Sequence, residues 1–549
     1  MLDPLANTQC SGSQYDYVIV GSGFGGSVSA YRLASKGYKV LVVEKGRRYA
    51  GDRFAKTNWN LRKWLWMPAL GLKGLMQVVP LRHVTAMSGV GVGGGSLVYG
   101  ATLPRPKAAF FESGSWAGLA DWKNELAEHY DTAEQMLGAT ENPRLTSSDR
   151  VMEQLAKDIG REEHFRPSTV GIYFGDDSGQ ASTDADPFFG GEGPDRSPCI
   201  YCGRCMLGCP NNAKNSLDKN YLYLASNLGA EVVAETQVED VAPAGDQSGS
   251  EGYFVSLKSS SGLLGRQKTI YAKSVVFSAG VLGTVPLLLK LKAKGSLPHL
   301  SDAIGRGVRT NNETITNVTS SDRSAYFTEG VTIGSIIEVD DHSHIEPIVQ
   351  GPQSNAWKLL ILPRAQGKNF VSRMAQMGKS FLTKPVRHIR DLVSRDWGQR
   401  SFALLFMQHL NSTVSLRTGP FGMLASSEES GEAPSANIPV SNELTRRVEK
   451  LIDGTSYSIS TEAVLGTPTT AHILGGCVMS ESAETGVIDQ YNRVFNYQNL
   501  YVCDGSAVSS NPGVNPSLSI TAITERAMSY IPVARSIESR STISNVISS

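Results

Sequence analysis

Two groups of residues in this chain have types and spacing that could do chemistry. Gly21, Gly23 and Gly26 make G-x-G-x-x-G between a β-branched apolar run, residues 15–20, and a helical stretch. In such a motif the first glycine permits a tight turn, the second lets backbone approach a pyrophosphate, and the third lets helix pack closely on strand. The helix that follows aims free N–H groups and a positive dipole end at phosphates. Glu44 closes the next apolar run, about 20 residues on, where a carboxylate accepts from ribose hydroxyls. The other group is Cys199, Cys202, Cys205 and Cys209 followed by Pro210, a C-x2-C-x2-C-x3-C-P spacing. That spacing suits thiolates around an iron–sulfur cluster such as [4Fe-4S]. There is no second run, so a single cluster would take these four, or three of them with Cys477 or Cys503. Metal-free thiols or a disulfide stand ahead of that outcome, and zinc behind both.

These residues need elements to hold them. Strand, glycine loop, helix and strand over residues 15–44 make a Rossmann-like unit. A second glycine cluster, Gly89, Gly91, Gly93, Gly94 and Gly95, precedes Ser96 and implies backbone pressed against a flat, bulky ligand. Residues 274–280 and 499–504 read as further buried strands, and a helix starts at Asn515-Pro516, with proline near its first turn. Helical patterning covers residues 122–137 and 217–228. Residues 301–460 leave the strand–helix alternation, and runs at 330–339 and 402–410 point to a second sheet. The expected fold class is α/β: a Rossmann-like cofactor domain with a second, substrate-binding domain on a mostly antiparallel sheet. The expected division is 12–105, 205–300 and 462–540 for the cofactor domain. Residues 106–204 and 301–461 make the substrate domain and the cysteine-rich segment.

Composition narrows the function classes. The 549 residues suit two joined domains, and 52 Lys and Arg balance 52 Asp and Glu. No global electrostatic pull towards nucleic acid is expected. The N-terminus lacks a basic and apolar leader, no run approaches a spanning helix, and the cysteines do not form a distributed disulfide framework. A reducing, cytoplasmic setting fits, with peripheral membrane contact left open. Two segments bear on that contact. Residues 59–81 mix Trp59, Leu61, Trp64, Trp66, Met67 and Leu70 with Arg62, Lys63 and Lys73, which suits a lid, a membrane-surface patch or an amphipathic core helix. Residues 368–400 are basic and partly amphipathic, which suits a solvated helical excursion or a lid facing anionic lipid. Residues before Tyr15 and after Ser536 read as a flexible lead-in and a polar tail.

The run Gly91-Val-Gly-Gly-Gly-Ser-Leu-Val-Tyr99 resembles the second flavin-contacting loop of the glucose–methanol–choline oxidoreductases, and of the bacterial cholesterol oxidases within that family. The order Thr470-Ala-His472-Ile-Leu-Gly-Gly, then Asp504-Gly505-Ser506, then Gly513-Val-Asn515-Pro516 is similar to the family's closing motifs. The resemblance covers nearly the whole chain. It implies FAD as cofactor, held by Gly21, Gly23, Phe24, Gly26, Glu44, Gly89, Gly94, Gly95, Ser96, Val238, Asp504, Gly505, Asn515 and Pro516. It implies that His472 positions a substrate hydroxyl and helps remove its proton, a task suited to a near-neutral pKa. Asn515 would orient the substrate oxygen or the flavin edge. His344-Ile-Glu346-Pro resembles the stretch carrying the base for double-bond migration, so Glu346 would sit desolvated with its pKa pushed up. Glu338 is the neighbouring competitor, and Asn311 and Asn312 are candidates to line the same site.

The implied reaction oxidises a 3-hydroxysteroid or another bulky apolar alcohol to the ketone, with Δ5 to Δ4 isomerisation, FAD taking the hydride. Oxygen or an electron-acceptor protein would then reoxidise FAD. Two rival expectations stand beside it. One is a dehydrogenase using the cysteine cluster as an electron relay to a non-oxygen acceptor. The other is a flavin-containing steroid Δ5-isomerase.

Overall fold

A computed structural model describes residues 13–175, 185–260, 267–367, 369–429 and 433–534. Its first sheet is built on six strands in chain order: β1 (Gln14–Val20), β2 (Val40–Val43), β3 (Glu231–Val233), β4 (Thr236–Pro243), β5 (Tyr253–Ser259) and β6 (Gln267–Phe277). They lie in the order β3-β2-β1-β6-β5-β4. The pairs β3–β2, β2–β1 and β1–β6 are parallel, whereas β5 and β4 continue antiparallel. The long strand β6 has β1 along one edge. Its other edge takes β5 on the first half and the strand Leu500–Val502 on the last three residues. Val18, Ile19, Leu41 and Val42 are completely buried, as a parallel sheet covered on both faces requires. Helix α1 (Phe24–Ser35) follows β1, α2 (Val281–Lys294) follows β6, and α3 (Ser517–Ser529) closes the cofactor side. All the ends that carry the expected motifs therefore meet at one end of this sheet.

The second sheet contains β7 (Thr314–Ser320), β8 (Ser335–Glu338), β9 (Ser343–Ile348), β10 (Ser401–Gln408) and β11 (Gly454–Ile459). Its order runs from Ile361–Pro363 through β11, β7, β10, β9 and β8 to Phe165–Pro167, and every pairing is antiparallel. The mostly antiparallel second sheet expected from sequence is thus present.

Local departures have local causes. Residues 59–81 do not form a long amphipathic helix. Helix Leu61–Trp64 stops after one turn, and short strands follow, because Pro68, Gly71 and Gly74 interrupt any helical register. Within residues 330–339 only Ser335–Glu338 is strand. The helix expected over 122–137 is divided into Trp122–Glu125 and Ala127–Leu137. The basic segment from 369 forms two helices, Phe370–Thr383 and Pro385–Val393, the second started by proline. Trp64 meets Trp357 edge-to-face at 5.0 Å, a contact of about 0.5–1.5 kcal/mol beyond area burial, and ties residues 59–73 to the second sheet's periphery. The expected lead-in up to residue 12, the tail beyond 534, Lys368 and the middle of the loop at 175–198 lie outside the described residues. Among the described residues no helix is long and apolar enough to cross a membrane.

Candidate active site

A cavity of about 1020 Å³ runs between the two sheets. At one end the turn after β1 forms its wall. Gly21 has φ +101°, and a Cβ on Gly26 would stand 2.1 Å from the Gly21 carbonyl oxygen, so strand and helix touch backbone to backbone. A Cβ on Gly23, by contrast, would meet nothing within 4 Å and would project into open space. This is the cradle a pyrophosphate needs. The second glycine loop closes over the first, since a Cβ on Gly94 would lie 2.6 Å from the Gly23 Cα. Glu44 follows β2 and lines the cavity, but it also braces the glycine loop. Its Oε2 accepts from the Ser22 Oγ at 2.7 Å and Oε1 from the Gly46 N–H at 2.8 Å.

Phe24, Gly89, Gly95, Val238, Asp504, Gly505, Asn515 and Pro516 line the same cavity. Val238 reaches it at a β-bulge in β4. Gly26 and Ser96 do not line it. Gly26 serves packing, and the Ser96 hydroxyl donates to the Gly93 carbonyl at 2.7 Å and accepts from the Leu217 N–H at 3.0 Å, which holds the second loop in shape. Asp504 is buried and accepts from the Gly280 N–H, Thr284 Oγ1, and the N–H and Oγ of Ser506 at 2.5–2.9 Å. Burial raises its carboxyl pKa, and these hydrogen bonds act against that rise. The described residues thus fit a flavin dinucleotide. Gly23 leaves open space where phosphate would lie, and Asn515, just before α3, carries a buried Oδ1 with no hydrogen-bond partner among them.

The far end of the cavity is apolar, lined by Met76, Met87, Ile315, Ile333, Ile348 and Leu405. Between the two ends stand His472 and Asn515. His472 Nδ1 lies 2.5 Å from Glu313 Oε2, whose partner oxygen accepts from the Ala471 N–H, and the Glu313 side chain is completely buried. Burial lowers the His472 pKa, but the Glu313 carboxylate outweighs it and holds the imidazole above its ordinary 6.5, with Glu346 adding to the rise. Nδ1–H is therefore committed to Glu313, and Nε2 is left as the acceptor. The Asn515 Nδ2 donates to Glu346 Oε2 at 3.3 Å, and His344 Nε2 lies 3.2 Å from Glu346 Oε1. Glu346 is fully buried and stands behind Asn515 rather than on the cavity wall itself.

Glu313 belongs to no recognisable motif in the sequence. The polar turn carrying Asn311 and Asn312 was the available signal, one residue short. Asn311 Nδ2 donates to the Val514 carbonyl at 3.0 Å and so braces the Asn515 turn, while Asn312 Nδ2 donates to Gln408 Oε1. Glu338 is removed as a competitor because it pairs with Lys107 and Arg166 at 3.3 Å each.

The iron–sulfur expectation finds no support here. Among the described residues no group of three or more His, Cys, Asp or Glu could hold a metal ion. Cys199, Cys202, Cys205 and Cys209 are free, and Cys199, Cys205 and Cys209 pack on Ala101, Val170, Ile172, Ala213 and Val331. Burial raises the thiol pKa of Cys199, Cys202 and Cys205, and the neighbouring cysteines add to the rise. Cys477 and Cys503 belong to the core of the first sheet and complete no ligand set.

A dinucleotide cradle opening onto an imidazole, a carboxamide and an apolar chamber defines a flavin-dependent oxidoreductase acting on alcohols. Comparison with known proteins agrees. Family models described as GMC oxidoreductase match residues 194–310 and 390–524, and one for an NAD(P)-binding Rossmann-like domain matches residues 19–62. The chain is 43% identical over 534 residues to a cholesterol oxidase of Acinetobacter baumannii, spanning 95% of each protein. It is 42% identical over 532 residues to a cholesterol oxidase of Mycobacterium tuberculosis, spanning 94% of this chain and 91% of that one. The crystal structure of pyridoxine 4-oxidase from Mesorbium loti superposes over 94% of this chain and 99% of its own, with a TM-score of 0.58 and 15% identity, a likeness of fold alone. This chain belongs to the GMC oxidoreductase family.

Proposed function

We propose that the protein oxidises the 3-hydroxyl of a sterol to the ketone and then moves the Δ5 double bond to Δ4. The observation that carries the reading is His472, backed by Glu313, beside Asn515 and Glu346 where the glycine-lined cavity turns apolar. The relatives at 42–43% identity, cholesterol oxidases over nearly their whole length, support a sterol as the alcohol. Gly21, Gly23, the 89–95 loop, Glu44, Asp504 and the start of α3 would hold FAD. When bound, FAD supplies the acceptor for the carbon-bound hydrogen, leaving as hydride, and oxygen is the proposed terminal oxidant.

The chain's own residues do the rest. Met76, Met87, Ile315 and Leu405 exclude water from the ring system. His472 Nε2 accepts the hydroxyl proton, and Glu313 holds the tautomer that makes this possible while stabilising the imidazolium that forms. The Asn515 carboxamide orients the substrate oxygen. Glu346, one hydrogen bond behind the cavity wall at Asn515, is the proposed base for the shift: with the Asn515 side chain turned aside it takes a proton from the carbon between ketone and alkene and returns it at the far end of the alkene, so the shift is proton-neutral overall. The discontinuous cofactor domain, 12–105, 205–300 and 462–540, and the substrate domain between its segments belong to this reading.

The experiment is anaerobic mixing of flavin-loaded protein with sterols and long-chain alcohols. Bleaching of the flavin by a 3-hydroxysteroid, with a Δ4-3-ketone as product, is expected. A flavin that stays oxidised with every sterol, or a product that remains Δ5, overturns the corresponding half.

A further inference from the structure

Helix Pro385–Val393 is mounted inside out. A surface helix normally buries its apolar stripe and shows a polar face to water. Here the buried face is polar. His388 Nδ1 lies 3.1 Å from the Tyr457 hydroxyl, which donates to Asp391 Oδ2 at 2.9 Å, and Arg400 donates to Asp391 Oδ1 at 3.1 Å. The face turned outward carries Val386, Ile389, Leu392 and Val393, 56–76% exposed and at helical spacing. Phe370, Val371, Phe381 and Leu382 on the preceding helix are exposed as well, and Leu382 is 85% exposed. Polar side chains anchor the helix, and nothing in the described residues covers its apolar side.

The surroundings are basic. Residues 369–400 contain seven Lys and Arg against two Asp, a net +5, and residues 53–73 contain five Lys and Arg and no acid, in a chain whose total is zero. The two stretches are joined through residues 353–358. Thr57 Oγ1 donates to the Gln353 carbonyl, Asn58 Nδ2 to that of Ser354, and Lys358 Nζ to that of Ser394. Trp59, Leu61 and Leu70 on the first stretch are also exposed. Beneath this block lies the core shared by Trp64, Trp357 and Trp397 with Met76, Met87, Ile315 and Ile348, which line the apolar end of the cavity.

We infer that this face docks on an anionic lipid bilayer, with the outward stripe of helix Pro385–Val393 entering the headgroup–acyl boundary and Lys379, Arg395, Arg62 and Lys63 facing lipid phosphates. An interfacial helix needs this pairing of apolar stripe and flanking cations. A second copy of the chain is the poorer occupant, because a two-fold contact would bring like charges together. The inference stands apart from the sterol reading, since vesicles without sterol suffice to test it.

The test is co-sedimentation of the full-length holoprotein with phosphatidylcholine vesicles, with and without phosphatidylglycerol. The wild type should partition about tenfold or more better onto the anionic vesicles, an advantage lost in high salt. The triple variant Val386→Ser, Ile389→Ser, Val393→Ser should lose binding to both kinds of vesicle. The pair Lys379→Glu, Arg395→Glu should lose the dependence on phosphatidylglycerol. Flavin content and turnover of detergent-dispersed alcohol should stay at wild-type levels in both variants, which shows that they fold. Equal binding of wild type and triple variant, or wild-type binding indifferent to phosphatidylglycerol, overturns the proposal. So does a wild-type dimer that the triple variant converts to monomer.

Discussion

Replacing Glu313 by Gln tests the arrangement at its centre. In the wild type the Glu313 carboxylate, fully buried and 2.5 Å from His472 Nδ1, can only accept, so Nδ1 must carry the hydrogen and Nε2 is free to take the substrate's proton. A glutamine keeps the volume and can still accept from the Ala471 N–H through its oxygen. Its NH2 group then faces Nδ1 and donates to it. The imidazole is driven into the opposite tautomer, with hydrogen on Nε2, where it blocks proton removal. Loss of a charge-assisted hydrogen bond alone costs about 1.5–3 kcal/mol, or about 10- to 150-fold in rate. The wrong tautomer adds to this, as in the carboxylate-to-amide exchange of serine-protease triads, where kcat falls about 10⁴-fold. The expected fall in the anaerobic rate of flavin reduction is therefore at least about 100-fold, with substrate affinity little changed. The pH profile supplies an independent readout. Burial lowers the His472 pKa and Glu313 more than restores it, so wild-type activity is lost as pH falls through a value above 6.5. Without the carboxylate the lowering by burial, the largest of these effects, is opposed only by the smaller rise from Glu346, and the acid limb should move to lower pH. A Gln variant with a flavin-reduction rate within a few fold of wild type and an unmoved acid limb would refute the reasoning.

Other substitutions separate structure from chemistry. Gly23→Ala should leave the flavin-free fold within about 0.5 kcal/mol of wild type, because its Cβ meets nothing, yet should weaken FAD retention, read as flavin-to-protein ratio after dialysis. Gly26→Ala should instead lower the melting temperature, since overpacking against the Gly21 carbonyl costs about 1–3 kcal/mol or more. Glu346→Gln should slow conversion of a Δ5-3-ketone by about 10²- to 10⁴-fold while alcohol oxidation persists, so that the unshifted ketone accumulates in the product analysis. Burial lowers the Lys214 pKa from 10.5 to about 8, while its ammonium donates to the Leu97 and Cys205 carbonyls. Between those pH values the unfolded chain holds the extra proton, so folding gains stability as pH rises, by about 3 kcal/mol across the window. Denaturant unfolding of wild type minus Lys214→Met should show that rise from pH 8 to 10.5, and a flat difference would sink it.

The division between what the sequence discloses and what it withholds follows the range of the interactions. The glycine turn, its helix and Glu44 sit within 30 residues, and their periodicity and steric needs are local, so they can be seen without coordinates. Glu313 could not be paired with His472 because 159 residues separate them, and only the crossing of β7 behind the cavity brings them together. The cysteine run is equally local, but its spacing does not disclose what surrounds it, and the fold packs Ala101, Val170, Ile172 and Ala213 against Cys199, Cys205 and Cys209. Helix Pro385–Val393 extends the point to the surface. Hydrophobic periodicity reveals that a helix has two faces but not which one meets the protein. That choice is made by Tyr457, 66 residues from Asp391 and 69 from His388, whose hydroxyl holds both polar side chains inward. Once that anchor is in place the apolar stripe has nowhere to go but out. The same strand β11 that carries Tyr457 borders β7, so the hydrogen bonds that orient the helix and the sheet that positions Glu313 share one framework.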